Sequence, residues 1–263
     1  MNRKIRMLVC ATLFGPSLVL AQRPGSAPAS KAIDPVYTAA PASLTTQQVE
    51  MLQARGADWP QLARYRESNA SLPLPAPGEQ RVVFYGDSIT DAWGRDGSST
   101  FFPGKPYVNR GISGQTTPQM LVRFRQDVVD LHPAGVVILA GTNDIAGNTG
   151  FSSLQMIEDN FKSMTEIAVA NHIRVILASV LPVSDYPWRK GLQPAETVRA
   201  LNQWLKGYAR SCGQTYLDYY SAMANAQGGL DPELAHDGVH PTAAGYAIMA
   251  PLAEKAIRQT LAP

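Results

Sequence analysis

The sequence predicts an α/β domain built on a parallel sheet, and three observations carry that prediction. From Arg81 onward, short β-like runs alternate with amphipathic helical stretches of about a dozen residues or more, the pattern of βαβ units. The helical stretches repeat apolar residues at spacings of three and four, as in Met120, Leu121, Phe124, Val128 and Leu131, which makes one face of each a core face. No internal repeat or second break in composition divides this part of the chain.

Taken in order, the first 21 residues join Arg3, Lys4 and Arg6 to an apolar run from Met7 to Leu20, with Val19-Leu20-Ala21 as small-residue cleavage spacing. This is the build of a secretory signal peptide. A lipoprotein reading through Cys10 fits less well, because that cysteine stands at the start of the apolar run. Gly15 and Pro16 interrupt the run, so it is a poor membrane span. Residues 22–43 turn to Pro, Ala and Ser and are expected to be a disordered linker. Residues 44–78 are expected to form a helical extension: a helix capped by Thr45 or Thr46 and running to Arg55, then a second near Gln61 to Glu67, introduced by Asp58 and Pro60. Trp59 and Tyr65 are the residues that would pack this extension on the main body or rim a cleft.

The main domain is expected over 79–263. Its strands are placed at Val82 to Tyr85, Tyr107 to Asn109, Gly135 to Ala140, Arg174 to Ser179 and Thr215 to Leu217. Helices fill the gaps at Thr117 to Leu131, Ser152 to Asn171, Ala195 to Ser211 and Thr242 to Leu261. With 45% apolar residues the chain can bury a full core, and its net charge of +2, from 23 basic and 21 acidic residues without a basic stripe, excludes a nucleic-acid footprint. Cys10 and Cys212 are the two cysteines; with Cys10 in the removed segment, Cys212 is a lone thiol expected in the core.

Chemistry concentrates where strands end. In a parallel sheet the carboxyl ends share one edge, the edge at which ligands bind. After the first strand comes Gly86-Asp87-Ser88, after the second Asn109 to Gly114, after the third Gly141-Thr142-Asn143-Asp144, and beyond the fifth Asp237-Gly238-Val239-His240. A serine hydroxyl needs a neutral imidazole to take its proton, and the imidazole needs an acceptor to hold its tautomer. His240 and Asp237, three apart around a glycine, can serve Ser88 in these roles. A tetrahedral intermediate also needs donors: the Gly114 N–H, the Asn143 side-chain amide and the Ser88 N–H suit an oxyanion hole. Each piece also has an ordinary use. Gly-Asp-Ser and Asp237-Gly238 are turn and cap sequences, Gly111 and Gly114 can be plain turn residues, and Asn143 with Asp144 can cap a helix.

The blocks GDSIT, NRGISGQTT, GTND and DGVH, in that order, resemble the SGNH (GDSL) esterases and lipases over most of Arg81 to Leu261. The second and third blocks are most similar to the platelet-activating-factor acetylhydrolase-like branch. The resemblance implies a flavodoxin-like, three-layer α/β/α sandwich with a five-stranded parallel sheet. It implies Ser88 as nucleophile, His240 as base, Asp237 as its orienting acid, and Gly114 and Asn143 as oxyanion donors. The expected mechanism is a Ser88 acyl-enzyme that uses no cofactor and no metal.

Other patterns lead elsewhere. Gly111 to Gln115 approaches a G-x-S-x-G elbow but lacks its last glycine and the strand leading into Ser113. His236 and His240 are four apart like a zinc pair, yet Gly238 and Pro241 argue against the required helix. His132 and His172 fall at expected helix ends. Asn69-Ala70-Ser71 matches a glycosylation acceptor, a short and common pattern.

The expected activity is hydrolysis of carboxylic esters in the periplasm or outside the cell, on a small-molecule or polysaccharide acyl ester, with acetyl as the first choice of acyl group. The loop Leu181 to Pro194 should overhang the strand edge, where Tyr186 and Trp188 either stack on a sugar ring or pack. Asp87, Trp93 and Arg95 are further candidates for the pocket. Two alternatives stay open: a thioesterase or lysophospholipase of the same fold, and a non-catalytic carbohydrate-binding module.

Overall fold

The computed structural model describes residues 45–95 and 99–262. The expected signal peptide (1–21) and linker (22–43) lie outside the described residues. The chain divides into two units, Met1–Val49 and Glu50–Pro263, and the sheet and the site belong to the second.

Five strands, β1 (Val82–Gly86), β2 (Tyr107–Gly111), β3 (Gly135–Leu139), β4 (Arg174–Ala178) and β5 (Thr215–Leu217), form one sheet in the order β2-β1-β3-β4-β5. Every pairing is parallel, with Val82 opposite both Tyr107 and Gly135. β1 and β3 are buried along their whole length, which is why they read as continuous apolar runs rather than alternating ones. The helices are α1 (Thr46–Ala57), α2 (Arg66–Ser71), α3 (Ser88–Asp91), α4 (Thr117–Asp127), α5 (Thr142–Ala146), α6 (Leu154–Ala170), α7 (Ala195–Ser211), α8 (Tyr220–Met223) and α9 (Ala243–Leu261).

Alternate strand residues point to opposite faces, and two cores follow. Val83, Tyr85, Val136, Ile138, Val175 and Leu177 pack with Met120 and Phe124 of α4, Phe161 and Met164 of α6, and Leu201 and Leu205 of α7. Val82, Phe84, Val137, Leu139 and Ile176 pack on the other face with Ile89 of α3 and Tyr246, Met249 and Ile257 of α9. The result is a three-layer α/β/α sandwich. Because β1 stands between β2 and β3, the chain leaves β1 toward one side of the sheet and takes up β3 on the other. That arrangement opens a crevice at their carboxyl ends.

Some expectations need correction. The helix expected to run unbroken from Thr117 to Leu131 ends at Asp127, and a short 3₁₀ turn covers Val129–Leu131. Val128 leaves helical geometry (φ −128°, ψ −64°), in keeping with the poor fit of adjacent β-branched residues to a helix. The second helix of the extension starts at Arg66, not Gln61. Asp58 does accept the N–H groups of Leu62 and Ala63 at 2.7 and 2.9 Å, yet Gln61 sits at φ +57°, so the turn does not propagate. Cys212 is exposed rather than buried, because it follows the last residue of α7. His132 and His172 both close helical segments in left-handed geometry (φ +50° and +61°).

Candidate active site

Gly86 ends β1 because a side chain there cannot fit. A Cβ would lie 2.1 Å from Thr90 Oγ1 and 2.8 Å from the Leu139 carbonyl oxygen. α3 therefore folds back tightly over the strand end. Asp87 caps it, accepting the Ile89 N–H at 3.0 Å, and Ser88 is its first residue. Gly111 at the end of β2 is equally constrained: its Cβ would meet Asp91 N at 2.1 Å. The loop that follows is tied to α3, with Ser113 Oγ and N–H both donating to Asp91 Oδ2, at 2.7 and 3.3 Å. This brings Gly114, in left-handed geometry at φ +78°, to the same edge as Ser88.

Asp237, Val239 and His240 form a turn held from within. Asp237 Oδ1 accepts the N–H groups of Val239 and His240 at 2.9 and 2.8 Å, and Val239 is buried in the core. His240 Nδ1 lies 2.6 Å from Asp237 Oδ2, and Nε2 lies 2.8 Å from Ser88 Oγ. With the proton on Nδ1, the imidazole donates to the carboxylate and accepts from the serine hydroxyl. Burial raises the Asp237 carboxyl, but bonds from the His240 ring, the His240 N–H and the Val239 N–H outweigh it and hold the group below its ordinary value. An ionised carboxylate thus faces the ring.

Asn143 lies in α5, whose entry through Gly141 (φ +111°) is packed against Leu201 and Val180. It is 2% exposed. Its Nδ2 donates to the Gln115 carbonyl at 3.0 Å, and its Oδ1 accepts from Asn148 Nδ2 at 2.7 Å. The amide orientation is therefore fixed from both ends, and one Nδ2 hydrogen remains beyond that given to Gln115. Neither the Ser88 N–H nor the Gly114 N–H donates to another described residue. The neighbouring Asp144 is structural. It accepts Thr117 N–H at 3.0 and 2.9 Å and the Thr117 hydroxyl, so it caps α4; burial pushes its carboxyl up to about 6 against those bonds.

The candidates for the pocket wall separate. Trp188 is 45% exposed, its ring 6.1 Å from that of His240, and its Nε1 donates to Asn148 Oδ1 at 3.1 Å. Tyr186 is fully buried beneath it, rings 5.1 Å apart, with its hydroxyl bonded to the Thr142 carbonyl at 2.9 Å. It supports Trp188 and offers no free face of its own. Trp93 is 3% exposed among Phe84, Phe101, Phe102 and Tyr246, a core residue rather than a pocket wall, because the aromatic cluster closes over it. Asp87 is 1% exposed and faces inward as a cap. Its Oδ2 has no hydrogen-bond partner among the described residues, and burial pushes the carboxyl up to about 7. Arg95 pairs with Asp91 at 2.6 Å. His236 is exposed, and among the described residues no group of three or more His, Cys, Asp or Glu side chains is disposed to hold a metal ion.

Sequence reasoning missed Gln115, Asn148 and Arg123. Only Arg123 carried a signal: it is a charge within the apolar stripe of α4, four residues before Asp127, and the two form a fully buried ion pair at 3.1 Å.

Comparison with known proteins gives a consistent picture. Residues 84–248 match the model of the GDSL-like Lipase/Acylhydrolase family. An acetylxylan esterase of Geobacillus stearothermophilus is 26% identical over 201 residues, covering 65% of this chain and 90% of that protein. Esterase TesA of Pseudomonas aeruginosa is 28% identical over 176 residues, covering 63% of this chain and 81% of that one. The crystal structure of a GDSL-like lipase from Bacteroides thetaiotaomicron superposes with a TM-score of 0.74 at 44% identity, covering 77% of this chain and 99% of the other.

Proposed function

The chain belongs to the GDSL-like lipase/acylhydrolase family and is a carboxylic ester hydrolase, and from that premise we propose that Ser88 is its nucleophile, served by His240 and Asp237. The observation that carries this reading is the continuous hydrogen-bonded line Ser88 Oγ, His240 Nε2, His240 Nδ1, Asp237 Oδ2, with links of 2.8 and 2.6 Å. His240 takes the hydroxyl proton as Oγ attacks the ester carbonyl, and Asp237 stabilises the imidazolium that forms. The carbonyl oxygen becomes an oxyanion, which accepts from the N–H groups of Ser88 and Gly114 and from Asn143 Nδ2. Collapse expels the alcohol, protonated by His240, and leaves an acyl-serine. Water, activated by the same ring, then releases the acid and restores Ser88.

The acyl group is small, acetyl above all, and the alcohol is a carbohydrate. Two things support this: an exposed indole beside His240, which can stack on a sugar ring, and the similarity to an acetylxylan esterase. The enzyme acts outside the cytoplasm, a reading supported by the basic and then apolar N-terminal sequence. Among the described residues no helix is long and apolar enough to cross a membrane.

The test is hydrolysis of 4-nitrophenyl esters from acetyl to palmitoyl, with thioesters and acetylated xylo-oligosaccharides beside them, by the enzyme and its Ser88→Ala variant. Acetyl preference that vanishes in the variant supports the whole reading. Preference for long chains or thioesters overturns the substrate and keeps the mechanism, and activity in the variant overturns the mechanism. Cell fractionation that finds the enzyme in the cytoplasm overturns export.

A further inference from the structure

Gln115 is buried, and each of its polar groups is engaged by a different part of the fold. Its backbone carbonyl accepts from Asn143 Nδ2 at 3.0 Å. Its side-chain oxygen accepts from Arg123 Nε, and its side-chain nitrogen donates to the Pro60 carbonyl at 2.7 Å. Its N–H donates to the Ile112 carbonyl at 3.3 Å. One residue thus links Asn143, the core arginine, and the segment that precedes β1.

Both supports are themselves anchored. Arg123 is fully buried, lies over the Tyr85 ring at 4.2 Å, and donates to the carbonyls of Arg110 and Gly86 at 2.9 and 3.0 Å. It therefore reaches the strand end that presents Ser88. Its charge is matched by Asp127, whose other oxygen accepts from Asn69 Nδ2 at 2.7 Å. The segment from Trp59 to Asn69 runs beside α4 and holds it in register. Gln119 and Gln126 donate to the carbonyls of Trp59 and Leu62 at 2.7 and 2.9 Å, Tyr65 donates its hydroxyl to the Gly111 carbonyl, and Arg110 Nε donates to Asn69 Oδ1 at 2.8 Å. Three glutamines of the Gln115–Gln126 stretch thus donate to three backbone carbonyls of this segment, a pattern that surface packing alone does not require.

We infer that Gln115 is a positioning residue that sets the Asn143 amide for the oxyanion, and that the Trp59–Asn69 segment is the brace that keeps Gln115 in place. The inference rests on the oxyanion role proposed for Asn143. The physical reason is the sharp distance dependence of a hydrogen bond. A donor has catalytic value only if it already points at the place where charge develops, and a misplacement of about 1 Å can cost on the order of 100-fold in rate. The Gln115 carbonyl takes one Nδ2 hydrogen and so directs the other. Its own position is held by a side chain clamped between a buried cation and the brace.

The experiment is a double-mutant cycle on 4-nitrophenyl acetate with Gln115→Met, Asn143→Ala and the double variant, each checked by circular dichroism. Asn143→Ala should lower kcat about 100- to 1000-fold, the usual loss of one oxyanion donor. Gln115→Met should lower kcat about 10- to 100-fold with KM within about twofold. In the Asn143→Ala background the same Gln115→Met change should cost less than about twofold, because the group it positions is gone. Independent losses that multiply, or an unchanged kcat in Gln115→Met, overturn the inference while leaving the oxyanion role intact. An unchanged kcat in Asn143→Ala overturns the oxyanion role and the inference with it. Gln115→Glu serves if the Met variant does not fold. It keeps an acceptor for Arg123 but cannot donate to Pro60, so a kcat loss of about 10-fold, absorbed in the Asn143→Ala background, is expected. Wild-type kcat in a folded Gln115→Glu overturns the brace.

Discussion

Ser88 and His240 stand 152 positions apart in the chain and meet with Oγ 2.8 Å from Nε2. Ser88 is carried by a one-turn helix locked over the end of β1, and His240 by a turn whose Val239 is set into the core, so neither depends on the other for its position. Two rigid supports, not a flexible encounter, hold the pair at reacting distance.

If that pair is the catalytic one, Ser88→Ala and His240→Ala should each lower kcat by at least about 10⁴-fold, and the double variant should lose little more than either alone, as for groups that act as a unit. Steady-state kinetics on an acetyl ester and thermal melts check this. Melting temperatures should stay within a few degrees of wild type, since both side chains lie at the surface edge of the site.

Asp237→Asn should be milder, roughly 10²- to 10⁴-fold in kcat. The asparagine oxygen can still accept the Val239 and His240 N–H groups that Asp237 Oδ1 accepts, so the turn survives, but the group facing Nδ1 becomes an NH2 donor, which removes both the charge and the acceptor and favours the tautomer with its proton on Nε2. A loss confined to KM would contradict the orienting role.

Asp87 ties stability to pH. Burial raises its carboxyl from 3.8 to about 7, so across that interval the folded protein binds a proton that the unfolded chain has released. This contribution is fully present below the unfolded value and is lost as pH rises to about 7. Asp144, raised to about 6, acts in the same direction over a narrower interval. Asp87→Asn keeps an oxygen for the Ile89 N–H and removes one titration. Its stability relative to wild type, read from melting profiles, should therefore rise between about pH 4 and pH 7, by up to roughly 1.4 kcal/mol per pH unit, and level off above. Parallel melting profiles for the two proteins would show that Asp87 is already ionised in the fold.

Two glycines of the site loop should respond differently to alanine. At Gly111 the new Cβ would stand 2.1 Å from Asp91 N and 2.6 Å from the Thr90 carbonyl carbon. Backbone must move there, and a loss of about 3 kcal/mol or failure to fold is expected. At Gly114 no atom lies within 4 Å of the built Cβ, and the cost is that of the left-handed geometry alone, about 1–2 kcal/mol. Urea denaturation of the two variants gives the comparison, and equal losses would mean that α3 is not clamped on β2 as described.

Trp188→Ala should raise KM for acetylated xylo-oligosaccharides up to about 10-fold, the equivalent of one aromatic stacking contact. Turnover of 4-nitrophenyl acetate should change far less. Trp188→Phe keeps a ring and should recover most of the oligosaccharide affinity. Equal effects on both substrates would place Trp188 in the frame that holds Asn148 instead of in sugar binding.

How much of this was legible in the chain differs by residue. β1 and β3 could be read because a strand buried on both faces must be apolar throughout, and their ends marked where chemistry would sit. Ser88, Gly114, Asn143, Asp237 and His240 could be named because acyl transfer needs those residue types and they follow strand ends in order. Trp93 and Tyr186 could not be placed. An aromatic near a site reads the same whether it lines a pocket or fills the core, and here Phe101, Phe102 and Tyr246 enclose the first while Trp188 covers the second. Cys212 read as core, yet the end of α7 leaves it exposed.

By itself, then, the sequence determined the sheet, the order of its functional blocks and the class of chemistry, since periodicity and residue type are local properties that a chain carries in the open. Only the tertiary structure decided which hydrogen of each donor is spent and which is left. That Asn143 gives one N–H to Gln115, that Gln115 is held by Arg123 and Pro60, and that Asn148 joins Asn143 to Trp188 depends on partners distant in the chain. Hydrogen bonds switch on over a few tenths of an ångström, and that precision comes from the packing of separate elements, which no local pattern records.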